Sequence, residues 1–276
     1  MCAKSLLITG CSSGIGYDAA VGMRARGWTV FASCRTAEDC LRMQRQGFAS
    51  PRIDYADTQS IVSGLSDVLD ATGGTLDALF NNGAFGSPGA VEDLPTDGLR
   101  EIFETNFFGW HELTRRVIPV MRAQGHGRIV QNSSILGFVT IRWRGAYNAT
   151  KHALEGLTDT LRIEMRDTKV RIVLIEPGPV TSRIRENAVA HFERWIDWES
   201  SPRSDQYRHQ LLSRLYGPPA RDMFELPASA VTRKLIHALE APNPRARYYV
   251  TTPTHIMGAC KRLLPTAALD WIIAKS

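Results

Sequence analysis

The stretch SLLITGCSSGIG, residues 5–16, places an apolar run directly before three closely spaced glycines. Residues 5–9 have the length and composition of a buried strand, and residues 14–26 have the apolar spacing of a helix. A second apolar run covers residues 28–33. These three segments predict a βαβ unit, in which a helix joins two parallel strands.

The glycines of this turn suit a phosphate-bearing ligand. Gly10 allows a tight turn, Gly14 lets the backbone approach a pyrophosphate, and Gly16 permits close helix packing. The helix that begins here directs unpaired N–H groups and the positive end of its dipole at the turn. Such turns also occur as plain connections, but the position in the first βαβ unit favours a dinucleotide site. We expect further contacts there from Ser12, Ser13 and Ile15.

Strand-like runs alternate with amphipathic helices along the rest of the chain. These runs cover residues 52–54, 76–81, 128–133, 170–176 and 247–251. Together with the first two, they predict an α/β fold of the Rossmann type, a doubly wound parallel sheet of about seven strands flanked by helices. We expect a single domain over residues 1–276, with a helical insertion at residues 184–226 where the alternation breaks.

Composition narrows the class of protein. The chain has 276 residues, 43% of them apolar, which suffices for a large core. Its formal charge of +5 is spread along the chain, and neither a basic stripe interleaved with aromatics nor zinc-ligand spacing occurs, so we expect no nucleic acid and no metal. Five cysteines without a CxxC pair favour a reducing compartment. Since the N-terminus resembles neither a signal peptide nor a membrane span, we expect a cytoplasmic protein.

The end of the second strand distinguishes between the two nicotinamide dinucleotides. NAD-binding proteins usually place an acidic side chain there to hold the ribose hydroxyls. Here the strand ends in Ser33, Cys34 and Arg35, and a guanidinium pairs well with the extra phosphate of NADP. We therefore expect NADP(H), the alternative being that Arg35 is a solvated residue of the next helix. Asp54 either contacts the adenine or caps a helix together with Asp57.

Tyr147 and Lys151 are four residues apart in a stretch of helical spacing, so both side chains lie on one helix face. An unperturbed tyrosine titrates near pH ~10. An ammonium beside it, together with the positive charge of an oxidised nicotinamide, favours the phenolate and lowers the pKa. Ser134 follows a predicted strand, where its hydroxyl faces the same crevice. This set predicts proton transfer to or from a substrate oxygen.

Six motifs occur in one order along the chain: TGxxxGxG at residues 9–16, Asn81-Asn82, Asn106, Ser134, Tyr147-x-x-x-Lys151 and Pro177-Gly178. In this order they resemble the short-chain dehydrogenase/reductase family across nearly the whole chain. Within that family the chain is similar to the NADP-dependent aldehyde reductases and to the retinol and hydroxysteroid dehydrogenases. These enzymes share GCSSGIG at residues 10–16 and the Cys34-Arg35 pair.

The resemblance implies a role for each matching residue. Tyr147 would exchange the proton, Ser134 would polarise the carbonyl, and Lys151 would hold the nicotinamide ribose while lowering the tyrosine pKa. Asn106 would support a proton-relay water, or it is a satisfied core asparagine. The other cofactor contacts that the resemblance implies are Asn82, Tyr147, Lys151, Pro177, Gly178, Val180 and Ser182.

Two positions depart from the family pattern. Asn82 is followed by Gly83 and Ala84, whereas the family has alanine before glycine, so we expect slightly different backbone torsions there. Ser182 stands where the family has threonine, and Thr181 comes one residue early. Both hydroxyls are candidates to contact the nicotinamide amide, with Ser182 the aligned one.

The insertion is rich in aromatic side chains and resembles the family's variable substrate loop. These side chains are Phe192, Trp195, Trp198, Tyr207, Tyr216 and Phe224. We expect a lid over an apolar aldehyde, ketone, sterol or retinoid, although ordinary packing also explains such side chains. The amphipathic segment at residues 255–276 is too polar to span a bilayer. It would dock on the core, on a second subunit as a homo-oligomer, or peripherally on a membrane surface.

These expectations combine into one function. The chain would be an NADP(H)-dependent oxidoreductase that reduces apolar aldehydes or ketones, or oxidises the matching alcohols, with Tyr147 as proton donor or acceptor. The alternative is an NADP(H)-binding redox sensor or scaffold without catalysis. Proteins of that kind typically lack the tyrosine or the lysine, and this chain has both.

Overall fold

A computed structural model of the chain describes residues 3–218 and 222–275. The strands of the described part are β1 Ser5–Ile8, β2 Thr29–Ala32, β3 Ala78–Asn81, β4 Gly127–Asn132, β5 Val170–Glu176 and β6 Arg247–Tyr249. They form one sheet in the order β2-β1-β3-β4-β5-β6, and every neighbouring pair is parallel. The predicted doubly wound parallel sheet is confirmed. Cys2, residues 219–221 of the insertion and the last residue lie outside the described part.

Helices follow most strands, as the alternating pattern predicts. In chain order they are α1 Gly14–Ala25, α2 Ala37–Arg45, α3 Thr58–Thr72, α4 Thr96–Phe103, α5 Gly109–Ala123, α6 Gly145–Glu164, α7 Ile184–Trp195, α8 Ser204–Gln206, α9 Ser213–Tyr216, α10 Ser229–Glu240, α11 Thr252–Leu263 and α12 Thr266–Ala274. A π-helical turn, Glu104–Phe108, joins α4 to α5, and another, Tyr207–Leu212, joins α8 to α9.

The described part has six strands where the sequence predicted about seven. The predicted strand at residues 52–54 is reduced to isolated bridges beside β2, Phe31 with Ala49 and Cys34 with Arg52. Pro51 stands between the two bridges and has no N–H to donate, so a regular ladder cannot run through it. The segment still lies at the position of an edge strand.

Successive side chains along the strands point to opposite faces of the sheet, and both faces are buried. On β1, Leu6 and Ile8 pack on the side of α1 and α10, whereas Leu7 packs on the side of α3, α5 and α6. All three side chains are fully buried. A sheet covered on both faces leaves its strand ends as the place for ligands, and the strand order reverses between β2 and β3, on either side of β1.

The insertion at residues 184–226 and the C-terminal segment lie outside this layered core. The helices of the insertion bury their own apolar cluster, and a bridge between Val180 and Leu226 closes its base. The C-terminal helices α11 and α12 bury Leu269 but leave Leu263 and Trp271 exposed. Within the described residues, no helix has the length and apolar character needed to cross a membrane.

Candidate active site

The glycine-rich turn lies between the carboxyl end of β1 and the start of α1. Gly10 and Gly14 have φ angles of +68° and +56°, in the left-handed region that favours glycine. A Cβ atom on Gly16 would overlap the carbonyl oxygen of Gly10, so only glycine allows this packing. Among the described residues no side chain caps α1 at Ser13, and its first-turn N–H groups stay available. The turn, with Ser12 and Ile15 in it, therefore fits the phosphates of a dinucleotide.

Two arginines lie near this turn. Arg35 directly follows the bridge residue Cys34 and is exposed. Arg42 in α2 donates from Nη2 to the backbone oxygen of Ser12 at 2.7 Å, which brings a second guanidinium to the turn. The carboxylate of Asp39 is also close, but it is paired with Arg42 at 2.5 Å. The tip of β2 is therefore cationic on balance, which suits a ligand with an additional phosphate.

Asp54 lies in a local turn. Its carboxylate accepts a hydrogen bond from the N–H of Ala56 at 3.1 Å, and its own N–H donates to Ser60 Oγ at 2.8 Å. The helix cap at this point is Asp57, whose carboxylate accepts from the first N–H groups of α3. Of the two residues that the sequence offered as caps, Asp57 is the one that caps the helix.

Asn82 ties together the carboxyl ends of three strands. Its side-chain amide donates to the backbone oxygen of Thr9 at 3.0 Å, and its side-chain oxygen accepts from Asn132 at 2.8 Å. Gly83, the exchanged residue, has no left-handed φ, so the exchange with Ala84 leaves an ordinary backbone there. The Asn82 side chain therefore holds the ends of β1, β3 and β4 together, on the side of the glycine-rich turn.

Asn106 lies in the π-helical turn between α4 and α5 and is fully buried. Its side-chain oxygen accepts from the N–H of Phe85 at 3.1 Å, and its side-chain nitrogen donates to the carbonyl of Phe85 at 2.8 Å. Both ends of the amide are therefore used to fix the loop after β3. These two bonds are what a satisfied core asparagine makes, and the proton-relay role stays a prediction.

Tyr147 and Ser134 meet at the carboxyl end of β4. Ser134 begins a short 3₁₀ turn, and its hydroxyl accepts from the N–H of Leu136 at 3.1 Å. This 3₁₀ turn packs against α6, the helix that bears Tyr147, and the Ser134 hydroxyl lowers the phenol pKa. The two hydroxyls expected to contact one substrate oxygen are thus brought together by the fold.

Lys151 lies one helical turn beyond Tyr147 on α6 and is buried. Its Nζ donates to the backbone oxygen of Asn132 at 2.8 Å. The same atom stands 4.2 Å from the centre of the Trp110 ring and 5.6 Å from that of Tyr147. A peptide oxygen and two aromatic faces therefore fix where the amine sits.

Burial shifts the pKa values of both members of this pair in the structure without a dinucleotide. Burial raises the pKa of Tyr147 to about 12, with the Ser134 hydroxyl and the Arg144 charge opposing the shift. Burial also lowers the pKa of Lys151 to about 7, with the Glu155 carboxylate opposing it. The sequence-based expectation took a permanent ammonium for granted, whereas burial destabilises that charge. At neutral pH the phenol is protonated and the lysine is partly charged.

The loop after β5 returns to the glycine-rich turn. The Cβ atom of Ser182 lies 3.4 Å from where a Cβ on Gly14 would stand. Thr181 turns away, and its hydroxyl donates to Glu225 at 2.6 Å. Of the two hydroxyls that the sequence offered, Ser182 is the one placed at the turn.

The residues before Ser182 hold this loop in place. Pro177 accepts from the N–H of Ile135 at 2.7 Å, next to Ser134. A Cβ on Gly178 would overlap the hydroxyl of Thr251, so the loop passes close to the start of α11. Val180 pairs with Leu226 at the base of the insertion. The fold therefore brings Pro177, Gly178, Val180 and Ser182 to one edge of the crevice.

One side chain of the insertion, His191, contacts the surroundings of Tyr147. His191 of α7 stacks on Phe85, with ring centroids 3.7 Å apart, and Phe85 shares an apolar cluster with Tyr147. Phe192 and Tyr207 are buried in the insertion's own core, which Trp195 and Trp198 also join. Tyr216 and Phe224 are exposed. Packing within the insertion therefore accounts for these four buried or half-buried side chains, while His191 stacks on Phe85, in the cluster against which Tyr147 packs.

A cavity of about 810 Å³ lies on a neighbouring face of α6. It is lined by Gly89, Ala90, Val91, Glu92, Thr140, Ile141, Arg142, Trp143, Gly145, Asn148, Ala149, His152, Arg203 and Gln206. Neither Tyr147 nor Ser134 reaches it, so this cavity is separate from the crevice that holds the predicted catalytic residues.

Several charged residues near the site escaped the sequence analysis. Arg42 reaches the glycine-rich turn from α2, and no motif marks it. Arg144 stands three residues before Tyr147, and this helical spacing could have identified it as a neighbour of the phenol. Glu155 stands one turn beyond Lys151 on the same helix face and raises the lysine pKa.

A family model and several curated proteins are similar in sequence to this chain. A family model described as short chain dehydrogenase matches residues 4–192. The uncharacterized oxidoreductase YbbO of Escherichia coli is 37% identical over 270 residues, which cover 98% of this chain and 94% of that protein. The NADPH-dependent 3-dehydrocapnine reductase of Ornithobacterium rhinotracheale is 30% identical over 98% of this chain and 95% of its own. Human retinol dehydrogenase 8 is 29% identical over 80% of this chain and 72% of its own.

Solved structures share the fold. A short-chain dehydrogenase from Streptomyces avermitilis superimposes with a TM-score of 0.78 at 26% identity, covering 99% of this chain and 94% of that one. A short chain dehydrogenase/reductase from Burkholderia phymatum in complex with NAD has a TM-score of 0.77 at 25% identity, over 95% and 92% of the two chains.

Proposed function

The chain belongs to the short-chain dehydrogenase family, and on this premise we propose that it is an NADP(H)-dependent oxidoreductase that reduces apolar aldehydes or ketones to alcohols. Catalysis is assigned to Tyr147, Ser134 and Lys151, with Asn106 holding the loop after β3. The observation that carries this proposal is the packing of α6, which bears Tyr147, against the 3₁₀ turn that Ser134 caps at the end of β4.

The protonated phenol is suited to act as the proton donor in carbonyl reduction. When bound, a nicotinamide dinucleotide supplies the hydride acceptor or donor of the reaction. In the reductive direction the Tyr147 phenol gives its proton to the carbonyl oxygen, and a pKa of about 12 keeps that proton in place at neutral pH. Ser134 donates a hydrogen bond that orients and polarises the same oxygen. Lys151 holds its amine against Asn132, at the position from which it would reach a ribose hydroxyl.

Charge at the tip of β2 supports NADP(H) as the cofactor. Arg35 and Arg42 bring two guanidiniums to this tip, while the Asp39 carboxylate is paired. A guanidinium binds a phosphate bidentately, and an unpaired carboxylate would repel it. A 30% identical relative is described as NADPH-dependent, which agrees with this choice, whereas a structural neighbour was solved with NAD.

Apolar side chains around the phenol support an apolar substrate. Phe85, Ile102 and Ala146 form a buried cluster there, with Leu94, Leu99, Phe103 and Tyr147 packed against it. The retinol dehydrogenase among the relatives is consistent with such a substrate. A saccharide would leave its hydroxyl groups unpaired against these walls.

The proposal extends to the cellular location of the enzyme and to the contacts of its surface. The four cysteines in the described part are unpaired, which supports a reducing, cytoplasmic location. Leu263 and Trp271 are 80% and 62% exposed on α11 and α12. An apolar surface of this kind supports peripheral contact with a membrane or with a second copy of the chain.

The experiment is a rate measurement on the purified protein with NADPH or NADH and three carbonyl compounds, decanal, retinal and a 17-ketosteroid. We expect oxidation of NADPH with at least one of them, and a lower kcat/KM with NADH. Binding of NADPH without any oxidation would favour the non-catalytic sensor. Equal use of the two cofactors would contradict the cofactor assignment alone.

A further inference from the structure

A buried ion-pair network lies behind Lys151, on the face of the sheet that α6 covers. Arg247 of β6 pairs through Nη1 with Glu155 of α6 and with Glu176 at the end of β5. Its Nη2 atom pairs with Asp159, one turn further along α6, at 2.6 Å. Glu155 and Glu176 are only 7% and 0% exposed. The network therefore joins three elements around the helix that carries the catalytic pair, and the proposed mechanism does not yet use it.

The register of the sheet places this network next to the lysine amine. The Nζ atom of Lys151 donates to the backbone oxygen of Asn132 at 2.8 Å. Asn132 of β4 stands opposite Ile175 of β5, the residue before Glu176. Neighbouring strands are about 4.8 Å apart. The amine and the Glu176 carboxyl therefore lie at the carboxyl ends of adjacent strands, both beneath α6.

Glu155 follows Lys151 by one turn of α6. Side chains four residues apart on a helix are neighbours, with Cβ atoms about 5–6 Å apart. Both side chains are buried on the inward face of α6. Within the described part of the chain, Lys151 has no ion-pair partner, and Glu155 is the nearest acidic side chain along the helix. The Glu155 carboxylate is thus the charge on α6 that is best placed to favour the ammonium.

The Glu155 side chain is held in one place. Arg247 binds its Oε2 atom, and Gly137 of the 3₁₀ turn after Ser134 packs against it. A Cβ atom on Gly137 would stand 2.8 Å from Glu155 Cγ and 3.0 Å from Glu155 Oε1. Among the described residues, Oε1 has no hydrogen-bond partner. Such an oxygen is costly to bury, and a nearby ammonium reduces that cost.

We propose that Glu155 is a positioning residue of the reaction: held by Arg247, its carboxylate keeps the Lys151 amine protonated, so that the ammonium can hold the nicotinamide ribose. The inference rests on the proposed function, because Glu155 acts through a residue that is assigned to catalysis there. Without this carboxylate, the buried amine would lose its proton at a lower pH. Glu155 itself does not touch the reacting atoms.

Other titratable groups face the amine or the network behind it. They are Tyr147 and Asp159 on α6, Glu176 on β5, and Arg247 and Tyr249 on β6. The neighbouring parts of β4 and α5 contribute a peptide oxygen and the Trp110 ring. Burial raises the pKa of Glu176 to about 8, so this carboxyl also titrates near neutrality. The experiment therefore has to separate Glu176 from Glu155.

The first test follows the pH at which Lys151 stops working. NADPH affinity, from fluorescence titration, and kcat/KM for carbonyl reduction are measured between about pH 6 and pH 9. In Glu155→Gln, which removes the charge and keeps the size, we expect the midpoint of the decline to move down by about half a unit to one unit. Glu155→Asp keeps the charge, and its midpoint should stay within about 0.2 unit of that of the unchanged protein. A Glu155→Gln profile that is lowered equally at every pH, with its midpoint in place, would indicate a structural role and overturn the inference.

Asp159→Asn is the matched control. Asp159 pairs with the same Arg247 guanidinium, but it lies one helical turn further from Lys151 than Glu155 does. We expect its midpoint to equal that of the unchanged protein. A shift as large as that of Glu155→Gln would show that the loss of any carboxylate from the network has this effect, which would overturn the assignment to Glu155.

The same comparison in a Glu176→Gln background removes the second titration. This background also lacks the repulsion between two buried carboxylates, so it should provide the stability that keeps Glu155→Gln folded near neutral pH. We expect the downward shift caused by Glu155→Gln to persist there. Its disappearance would assign the effect to Glu176 and contradict the role proposed for Glu155.

The affinity measurement separates a failure of this inference from a failure of the proposed function. If the protein oxidised NADPH with no carbonyl compound, the proposed function would fail, while the affinity profiles would still test Glu155 through Lys151. If neither the affinity nor the rate of the unchanged protein declined between about pH 6 and pH 9, Lys151 would not titrate there. That result would overturn the inference and leave the function intact.

Discussion

The Nζ atom of Lys151 lies 2.8 Å from the backbone oxygen of Asn132. This hydrogen bond joins α6, which carries Tyr147, to the end of β4, which leads into Ser134. The groups assigned to catalysis are therefore held by one short path between a helix and a strand. Because the amine is also buried, the same contact makes its charge sensitive to pH.

The first prediction concerns that charge. Burial lowers the pKa of Lys151 to about 7, so the amine loses its proton as the pH rises through this value. If the ammonium is needed to hold the ribose, kcat/KM for carbonyl reduction falls above about pH 7. The phenol adds no loss in this range, since its pKa is about 12. Initial rates between about pH 6 and pH 9 measure the effect.

Lys151→Arg serves as the control for this profile. A guanidinium keeps its charge throughout the range, so the decline near neutrality should disappear even though the rate is lower overall. A profile in the variant that still declines near the same pH would assign the titration to another group.

The second prediction concerns cofactor choice. Arg35→Ala should weaken NADPH binding by about 10- to 100-fold and NADH binding by less than about twofold, because only NADPH carries the phosphate that a guanidinium pairs with. Fluorescence titration with each cofactor measures both affinities. Arg45→Ala is the matched control, because Arg45 is an exposed arginine in the last turn of α2. Equal losses for the two cofactors would show that Arg35 does not contact the phosphate.

The third prediction concerns a buried acid behind the site. Glu176 and Glu155 both contact Arg247, and burial together with the nearby Glu155 raises the pKa of Glu176 to about 8. A carboxyl whose pKa is raised in the folded state holds its proton better there than in the unfolded chain. Stability is therefore lost as the pH rises from about 4.5 to about 8. Glu176→Gln, which mimics the protonated acid, should gain stability relative to the unchanged protein over that range.

Thermal unfolding at the two ends of this pH range measures the third prediction. The difference in melting temperature between Glu176→Gln and the unchanged protein should grow with pH. Asp167→Asn is a control on the protein surface, and its difference should stay constant. If the difference for Glu176→Gln stayed constant too, Glu176 would be ionised throughout in the folded state.

Much of the fold follows from local patterns in the sequence. The sequence places glycines at residues 10, 14 and 16. In the structure Gly10 and Gly14 adopt left-handed φ angles, and Gly16 lies where a Cβ atom would overlap the backbone. The strand at residues 52–54 was over-predicted, because a pattern of apolar residues does not register the N–H that Pro51 lacks. This segment lies at the edge of the sheet as predicted, but it forms isolated bridges with β2 instead of a regular ladder.

Less of the candidate site than of the fold could be predicted from the sequence. Helical spacing places Tyr147 and Lys151 on one face, but spacing carries no information about burial, which raises the phenol pKa and lowers the amine pKa. Asn106 is likewise a buried asparagine whose partner, the Phe85 backbone, is 21 residues away in the chain.

The central claim is that the Tyr147 phenol donates the proton during carbonyl reduction. Its most direct test is the rate of NADPH oxidation with an aldehyde by Tyr147→Phe, measured beside NADPH affinity and beside Tyr249→Phe as a tyrosine outside the site. We predict that Tyr147→Phe loses at least about 1,000-fold in kcat while NADPH affinity stays within about threefold, and that Tyr249→Phe keeps its rate. A Tyr147→Phe variant that binds NADPH and still reduces the aldehyde at a comparable rate would contradict the account.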